Sequence, residues 1–436
     1  MTTVNRLPEH NDSNGWFAVL DMPQPATPLS GDVYVKTAII GAGICGLSTA
    51  NRLGELCPND DICLIDAHQV GYSTSGRNAG FLQDFHSHGP PKDLTILQRN
   101  RQLWKTGLNS LRSKVTNLNI NCDWSEAGRY YGAAGKDGEK HLGEMIETLK
   151  MLKLDFTEHD QSEMQKRIGT GFYTKSLFVP NNVLVNPASL MRGLAANLPE
   201  NVRIFENSPV TMVERAGDGY KITTPNGTVS AERLVLAAGV FLKDFGIAKG
   251  RYVPVATYAS LSGVLGDKAL SHLGTGEEFG MLAASDVGST IRLTRDKRLF
   301  VRNSIKFEPG KTVSADKIQK IAEVHKYAAL KRWPGLSDLS FEHSWGGAMA
   351  FTTNNGGVFG KYDKNLFAVL TNDVSCITRG EAAGTLLAEY MEGHTSELLS
   401  LQLTIPMGER LPPRPFLDIG FLFKKGHMKM IAGEEL

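Results

Sequence analysis

The residues with the clearest chemical pattern are three glycines and the helix start that follows them. Gly41, Gly43 and Gly46 form a G-x-G-x-x-G motif between an apolar run and a helical pattern that opens at Ile44. Gly41 permits a tight turn, Gly43 lets a phosphate approach the backbone, and Gly46 lets the helix pack closely on the strand. The first N–H groups of the helix then face the phosphates at the positive end of its dipole. This pattern predicts a site for the pyrophosphate of a dinucleotide.

Asp66 completes the same unit. A second apolar run, residues 62–65, ends at this aspartate, and its carboxylate is placed to accept hydrogen bonds from a ribose hydroxyl. An acid at this position favours the unphosphorylated adenosine ribose of FAD or NAD over that of NADP. Residues 35–66 therefore predict a strand–helix–strand unit that binds FAD or NAD. The alternative is a glycine-rich turn without a ligand.

The composition of the chain argues against several classes of function. Its 436 residues suffice for two or three domains. With 47 Lys and Arg against 46 Asp and Glu, the net charge is +1 and no dense basic tract is present, which argues against a nucleic-acid binder. No pair of the five cysteines has C-x-x-C spacing, so we predict no metal site, no redox dithiol and no disulfide framework.

The distribution of apolar residues predicts a cytoplasmic protein. The N-terminal stretch is polar and lacks the apolar core of a signal peptide, and no run approaches 18 apolar residues. The tail over 416–436 mixes apolar residues with lysines, so it could lie on a membrane surface or pack as a terminal segment. We expect packing, without membrane association.

A second region rich in glycine and serine follows Asp66. From Ser75 to Gly80 the chain offers many backbone donors in a short span, and chain geometry places them near the far end of a dinucleotide bound at the glycine motif. Together, the motif, Asp66 and the sequence Ser-Gly-Arg-Asn-Ala-Gly resemble the D-amino-acid oxidase-like superfamily of FAD-dependent amine oxidoreductases. The likeness is greatest to the γ-glutamylputrescine oxidase and DadA-like branch, and it extends in weaker form from about Trp16 to the prolines near 412.

The resemblance implies a fold and a division into domains. The fold is α/β, with a Rossmann-like FAD-binding domain and a discontinuous second α+β substrate domain built on an antiparallel sheet. The implied segments are an extended lead-in over 1–34, the FAD-binding domain over 35–90, 186–250 and 341–392, the substrate domain over 91–185 and 251–340, and a C-terminal segment over 393–436.

The resemblance also implies which residues contact FAD. Val210 matches the residue whose backbone holds the adenine, although the residues alone favour a core valine there. Ala238 and Gly239 end a strand that passes close to the dinucleotide. With the glycine motif and Asp66, the implied contacts are Ile44, Ser75, Arg77, Asn78, Val210, Ala238, Gly239, Trp345, Cys376 and Thr378.

The sequence departs from the family before the helix that begins near Thr378. Relatives have a glycine-rich turn there, whereas residues 371–376 contain no glycine and Cys376 stands where glycine is expected. A left-handed conformation costs a cysteine more than a glycine, so the turn must take another path or be supported by side-chain hydrogen bonds from Asp373 and Ser375. Asp373 could attract an ammonium substrate near the flavin; the alternative is that it caps the helix.

The implied reaction is oxidation of a small amine or amino acid. A hydride passes from carbon to flavin N5, the amine lone pair drives the step, and the imine product hydrolyses. No side chain must act as an acid or base, so the catalytic residues stay open; His86, with the nearby His88, and Asp373 are the candidates, and structural roles are the alternative for each. One arginine of the basic hairpin 292–302 could face a substrate anion, or the hairpin could be a solvated surface.

The cofactor is expected to be non-covalent FAD, with oxygen, a quinone or another acceptor reoxidising it. Some relatives attach FAD through a histidine in the region of Arg77 and Asn78 or through a later cysteine, and this chain has no histidine there and no cysteine between 122 and 376. Two alternative functions stay open from the sequence. They are a nicotinamide-dependent dehydrogenase and a non-catalytic or partner-regulated flavin-binding protein.

Overall fold

A computed structural model describes residues 2–435 apart from 5, 9–12, 22–26, 86–92, 286, 309–313, 372–375, 414, 421, 424–425 and 427–434. Within these residues the strands are β1 (Thr2–Thr3), β2 (Gly31–Ile40), β3 (Ile62–Ile65), β4 (Phe81–Gln83), β5 (Arg129–Ala133), β6 (Thr157–Asp160), β7 (Lys175–Val179), β8 (Asn182–Leu184), β9 (Val202–Phe205), β10 (Met212–Ala216), β11 (Gly219–Thr224), β12 (Gly227–Leu236), β13 (Val253–Val264), β14 (Phe279–Ala283), β15 (Thr290–Leu293), β16 (Arg298–Phe307), β17 (Phe341–Phe351), β18 (Val358–Asp363) and β19 (Leu366–Leu370).

Helices alternate with these strands in the first half of the chain and become sparser in the second. Over the same described residues they are α1 (Gly15–Ala18), α2 (Ile44–Leu56), α3 (Leu94–Asn117), α4 (Lys136–Met151), α5 (Gln161–Ile168), α6 (Pro187–Ala196), α7 (Asp267–Leu270), α8 (Ala315–Arg332), α9 (Cys376–Met391) and α10 (Glu397–Leu403), with 3-10 turns at Thr74–Gly76 and Gly239–Phe245.

The first sheet has a parallel centre. Strands β9, β3, β2, β12 and β19 lie side by side and parallel, and antiparallel β18, β11, β10 and β1 extend the sheet. All four residues of β3 are buried, as expected for a parallel strand covered on both faces. The predicted Rossmann-like arrangement is confirmed.

The β2–α2–β3 unit forms as its apolar pattern predicts. Ile44, Leu47, Ala50 and Leu53 are the buried stripe of α2, and this stripe joins a core cluster with residues of α3 and α9. An added Cβ on Gly46 would overlap the carbonyl oxygen of Gly41. Glycine is therefore the residue that lets α2 begin so close to β2.

The second sheet has the order β17-β13-β16-β15-β14-β5-β7-β6. Its pairs are antiparallel except β14 with β5, which are parallel. Helix α8 covers one face and shares a buried cluster with β15 and β16. The predicted second, largely antiparallel α+β unit is thus present.

Two elements lie elsewhere than the sequence-based division of the chain places them. Strand β17, the first part of 341–392, pairs with β13 in the second sheet rather than the first. Helix α3, in 91–185, packs against α2 and α9 of the nucleotide-binding side. Both positions depend on long-range burial, which the local sequence pattern does not report.

The lead-in over 1–34 also differs from an extended segment. It contains strand β1, the short helix α1 and the start of β2. Helix α1 forms because the Asn14 side chain accepts a hydrogen bond from the Trp16 N–H (3.1 Å), and because Trp16 is almost fully buried among side chains of the second sheet. Through Trp16, the described part of the lead-in therefore contributes to the core.

No helix in the described ranges is long and apolar enough to cross a membrane.

Candidate cofactor site and active site

The glycine motif lies at an edge where three strands of the first sheet end. The Gly41 N–H donates to the Ile65 carbonyl (2.8 Å), and the Ala237 N–H donates to the Ile40 carbonyl (2.8 Å). Gly41 has a φ of +105°, which favours glycine because L side chains rarely adopt it. The turn thus brings the start of α2 to the carboxyl ends of β2, β3 and β12, the edge at which open α/β sheets bind ligands.

Asp66 follows β3 and is half-buried at this edge. One carboxylate oxygen accepts the Ala42 N–H (2.7 Å) and the other accepts the His68 N–H (2.9 Å). Burial raises the pKa of Asp66, and these two backbone hydrogen bonds oppose the rise. Each carboxylate oxygen can accept a second hydrogen bond, so the group can bind a ribose hydroxyl while it braces the glycine turn.

A single cavity connects the glycine motif with the second sheet. At one end it is lined by the motif, Asp66 and Val210, and at the other by Thr257 of β13 and Met349 of β17. Ser75 stands between, where its Oγ accepts the Ile44 N–H at the start of α2 (3.0 Å). An elongated dinucleotide fits this arrangement, because backbone donors and a carboxylate stand at one end and apolar second-sheet residues at the other.

Most of the residues predicted to contact the cofactor line this cavity, namely Gly41, Gly43, Ile44, Asp66, Ser75, Arg77, Asn78, Val210, Ala238 and Gly239. Three others do not line it. Gly46 lies behind the turn, Trp345 is buried beneath the segment that follows Ser75, and Thr378 is buried in the first turn of α9.

The remaining predicted positions cannot be located in the same way. His86 and Asp373 lie outside the described residues. Helix α9 begins at Cys376, whose side chain is likewise outside the description. Leu370 and Thr371, just before that stretch, line the cavity, so the chain approaches the site where the family resemblance places the turn.

Three consecutive backbone carbonyls at 77–79 are each held by a buried side chain. Trp345 Nε1 donates to the Arg77 carbonyl (3.0 Å), Trp16 Nε1 to the Asn78 carbonyl (2.9 Å), and Arg292 Nη1 to the Ala79 carbonyl (2.8 Å). Since the carbonyls are bound on this side, the segment is fixed where it lines the cavity. We call residues 77–80 the braced segment.

The side chains of the braced segment act mainly within the protein. Arg77 Nε donates to the Tyr72 carbonyl (2.7 Å), and its Nη1 donates to the Gly346 carbonyl (2.9 Å). Asn78 Oδ1 accepts the Gly80 N–H (2.9 Å). Both side chains therefore shape the turn that lines the cavity.

The sequence did not predict that Trp16 and Arg292 would support the braced segment. Trp16 stacks on Phe300 with ring centroids 5.1 Å apart, and Arg292 lies over the Trp16 ring at 5.1 Å. Burial lowers the pKa of Arg292 to about 10. The one sign of this role in the sequence was a tryptophan within a polar lead-in, but the residues that Trp16 contacts lie far away in the chain.

No cluster of side chains suited to a metal ion occurs within the described ranges.

Comparison with known proteins identifies the family. Residues 36–390 match the family described as DAO, FAD dependent oxidoreductase. The chain therefore belongs to this family of FAD-binding flavoenzymes.

Individual relatives are similar to the chain at low identity over most of its length. Gamma-glutamylputrescine oxidoreductase of Escherichia coli (strain K12) is 22% identical over 89% of this chain and 90% of its own length. Glycine oxidase of Bacillus licheniformis is 23% identical over 82% of this chain and 93% of its own. The resemblance drawn from the glycine motif, Asp66 and Ser75–Gly80 is thus confirmed.

Solved structures support the fold. Glycine oxidase from Geobacillus kaustophilus superposes with a TM-score of 0.69 at 17% identity, covering 86% of this chain and 100% of that one. L-proline dehydrogenase from P. horikoshii gives a TM-score of 0.69 at 14% identity, covering 86% of this chain and 97% of that one. These likenesses show that the chain has the fold of this group of flavoenzymes.

Proposed function

We propose that the protein is an FAD-dependent oxidase or dehydrogenase that oxidises a C–N bond of a small primary or secondary amine or amino acid. The supporting observation is the cavity that joins the glycine motif and Asp66 to Thr257 and Met349 of the second sheet. The names of similar proteins, which include a glutamylputrescine oxidoreductase and glycine oxidases, support amines and amino acids as the substrate class.

Each wall of the cavity has a distinct task in this proposal. The N–H groups at the start of α2 and the Gly43 backbone bind the pyrophosphate, and Asp66 binds the adenosine ribose. The braced segment would support the cofactor where the cavity meets the second sheet. The chemistry that FAD supplies when bound is acceptance of a hydride from the substrate carbon, after which the imine hydrolyses in water.

The protein groups need only position the substrate and exclude water, because the amine lone pair drives the transfer. His86 and Asp373 remain the candidate catalytic residues. We further propose non-covalent FAD, reoxidised by oxygen, a quinone or another acceptor, in a cytoplasmic protein that binds neither nucleic acid nor membranes. Acid precipitation should leave the yellow colour in the supernatant, whereas colour in the pellet would show covalent attachment.

The deciding experiment is anaerobic titration of the purified holoprotein with a panel of amines and amino acids. We expect a flavin spectrum that at least one compound bleaches, followed by recovery when oxygen or a quinone is added. A flavin spectrum that no amine or amino acid bleaches would favour the non-catalytic flavin-binding alternative. A protein without flavin absorbance that responds to NAD would support the nicotinamide alternative.

A further inference from the structure

Glu435 lies among the last residues of the sequence and is nevertheless almost fully buried, with 1% of its surface exposed. It also lies beyond residues 36–390, which match the family, so membership of the family does not account for its position. A carboxylate that is buried loses its hydration, and this is favourable only if protein groups replace the water. The groups around Glu435 therefore show what holds it.

Backbone N–H groups from two parts of the chain bind the Glu435 carboxylate. Its Oε1 accepts the Ala134 N–H (3.0 Å) just before α4, and its Oε2 accepts the Ser285 N–H (2.8 Å) just after β14. Hydrogen bonds to an ionised acceptor are stronger than those between neutral groups. Both oxygens are used, so the arrangement suits a carboxylate better than an amide, which has a single acceptor oxygen.

The start of α4 leaves room for this carboxylate. The N-cap residue is Gly135, which has no side chain to cap the helix, and an added Cβ on Gly138 in the first turn would overlap Glu435 Oε1. The positive end of the helix dipole also favours an anion at this position. Ala134, Gly138 and Ser285 thus form a site for the end of a glutamate side chain, which we call the carboxylate pocket.

The backbone of Glu435 is held as well. Its carbonyl accepts the Ser289 N–H (2.9 Å) and a hydrogen bond from Arg332 Nη2 (2.9 Å). Arg332 is the last residue of α8, and its Nε donates to the Tyr173 hydroxyl (2.7 Å). Glu435 therefore joins the start of α4, the connection between β14 and β15, and the end of α8.

The connection between β14 and β15 leads to the cofactor cavity. Ser289, which donates to Glu435, directly precedes β15. Arg292 in the same short strand donates to the Ala79 carbonyl of the braced segment (2.8 Å). One end of this stretch is thus fixed by Glu435, and the other fixes the braced segment.

We propose that Glu435 latches the last segment of the chain into the carboxylate pocket, and that the latched state positions β15 and the braced segment for FAD binding. The ligand of the pocket is a glutamate side chain that the chain itself supplies. FAD and the latch should favour each other, because both stabilise the same arrangement. The inference goes beyond the proposed function: its test involves no turnover, so it can fail while amine oxidation stands.

The test compares four variants of the 436-residue chain. Glu435→Gln removes the charge and one acceptor oxygen from the pocket, and its control, Glu434→Gln, removes the same charge one residue earlier. Gly138→Ala places a methyl group where the carboxylate lies, and its control, Gly143→Ala, makes the same change in α4 with no atom within 4 Å. The measurements are amide hydrogen exchange of the holoprotein and the Kd for FAD from titration of the apoprotein.

In Glu435→Gln and Gly138→Ala, the amides of Ala134 and Ser285 should exchange about 10- to 100-fold faster, which corresponds to the loss of a hydrogen bond to a charged acceptor. The Kd for FAD should rise about 5-fold or more in both variants. Both controls should match the wild type. The amides of β3, in the first sheet, should exchange at the wild-type rate in all four variants, because the effect is local.

Unchanged exchange at Ala134 and Ser285 in Glu435→Gln would overturn the proposal, because the carboxylate would then not hold these amides. An equal effect of Glu434→Gln would also overturn it, since the charge of the segment rather than the pocket would be responsible. Faster exchange with an unchanged Kd for FAD would show that the latch does not act on the cofactor site. If Gly138→Ala does not fold, the comparison of Glu435→Gln with Glu434→Gln decides the same question.

Discussion

The two ends of the cofactor cavity are assembled in different ways. The end at Gly41–Asp66 comes from one continuous strand–helix–strand unit, so its parts are neighbours in the sequence. The end at the braced segment depends on Trp16, Arg292 and Trp345, which come from three separate regions of the chain. The end that we propose for the nucleotide thus comes from a local motif, whereas the end that we propose for the chemistry depends on long-range packing.

The largest expected effect comes from removing Trp16. This change should disrupt the end of the cavity at the braced segment and leave the end at Gly41–Asp66 intact. Trp16→Ala should lower the free energy of unfolding by about 3–5 kcal/mol, as for other buried large-to-small changes. It also leaves the Asn78 carbonyl without its donor, so FAD should bind more weakly. Denaturant unfolding and FAD titration of the apoprotein measure the two effects.

Trp16→Phe is the matched control, because it keeps an aromatic ring against Phe300 and loses the indole N–H with a smaller loss of packing than Trp16→Ala. We expect a loss of about 1–3 kcal/mol, the cost of one unsatisfied buried carbonyl. If Trp16→Ala and wild type were equally stable and retained FAD equally well, the lead-in would not belong to the core of the site.

Gly46→Ala tests the first end. The added methyl group would overlap the Gly41 carbonyl oxygen, so α2 must move and the turn must open. The expected loss is about 3 kcal/mol, at the upper end of the usual range for overpacking, together with loss of FAD. Gly143→Ala, in the middle of α4 with no atom within 4 Å of the new methyl group, should instead gain up to about 1 kcal/mol.

A smaller effect concerns the pH dependence of stability, which should differ between the second sheet and the first. His325 of α8 is buried behind this sheet, where its Nδ1 is 2.7 Å from Ser260 Oγ, and burial with the nearby Arg302 charge lowers its pKa to about 3. Since the unfolded chain takes up a proton near pH 6.5 and the folded chain does not, stability must fall as the pH drops below that value. The loss should reach about 2 kcal/mol at pH 5.

The comparison variant is His325→Gln, which replaces the titrating imidazole behind the second sheet with an uncharged amide. Between pH 7 and pH 5, the free energy of unfolding should fall by about 2 kcal/mol less in His325→Gln than in the wild type. The pH dependence that Asp66 contributes has the opposite sign. Burial raises the pKa of Asp66, so its contribution to stability increases as the pH falls toward the ordinary range of the carboxyl group. If the free energy of unfolding depended on pH in the same way in wild type and His325→Gln, the effect could not be assigned to His325.

The sequence predicts the first end of the cavity in detail because the requirements there are local. Gly41 needs a positive φ, Gly46 needs space, and Asp66 must follow a strand, and each condition can be recognised within a few residues. Ser75, Arg77 and Asn78 were also placed at the cavity, although Arg77 and Asn78 mainly brace their own turn.

The second end could not be predicted in the same way. Trp16 stands in a polar lead-in, and its burial depends on Phe300 and Trp345, which approach it only in the folded protein. The sequence-based division misplaced β17 for the same reason, because its pairing with β13 cannot be recognised from the local sequence. The basic hairpin was recognised, but the contact of Arg292 with the Ala79 carbonyl forms only in the folded protein.

The burial of Trp16 has a consequence for how the protein matures. During synthesis the lead-in and the glycine motif emerge first, whereas Phe300 and Trp345 emerge late, so an incomplete chain can form the nucleotide-binding turn but not the braced segment. A ligand that binds only the finished structure stabilises that structure. Retention of the cofactor should therefore require the chain through Trp345, and products that end before this residue should remain colourless.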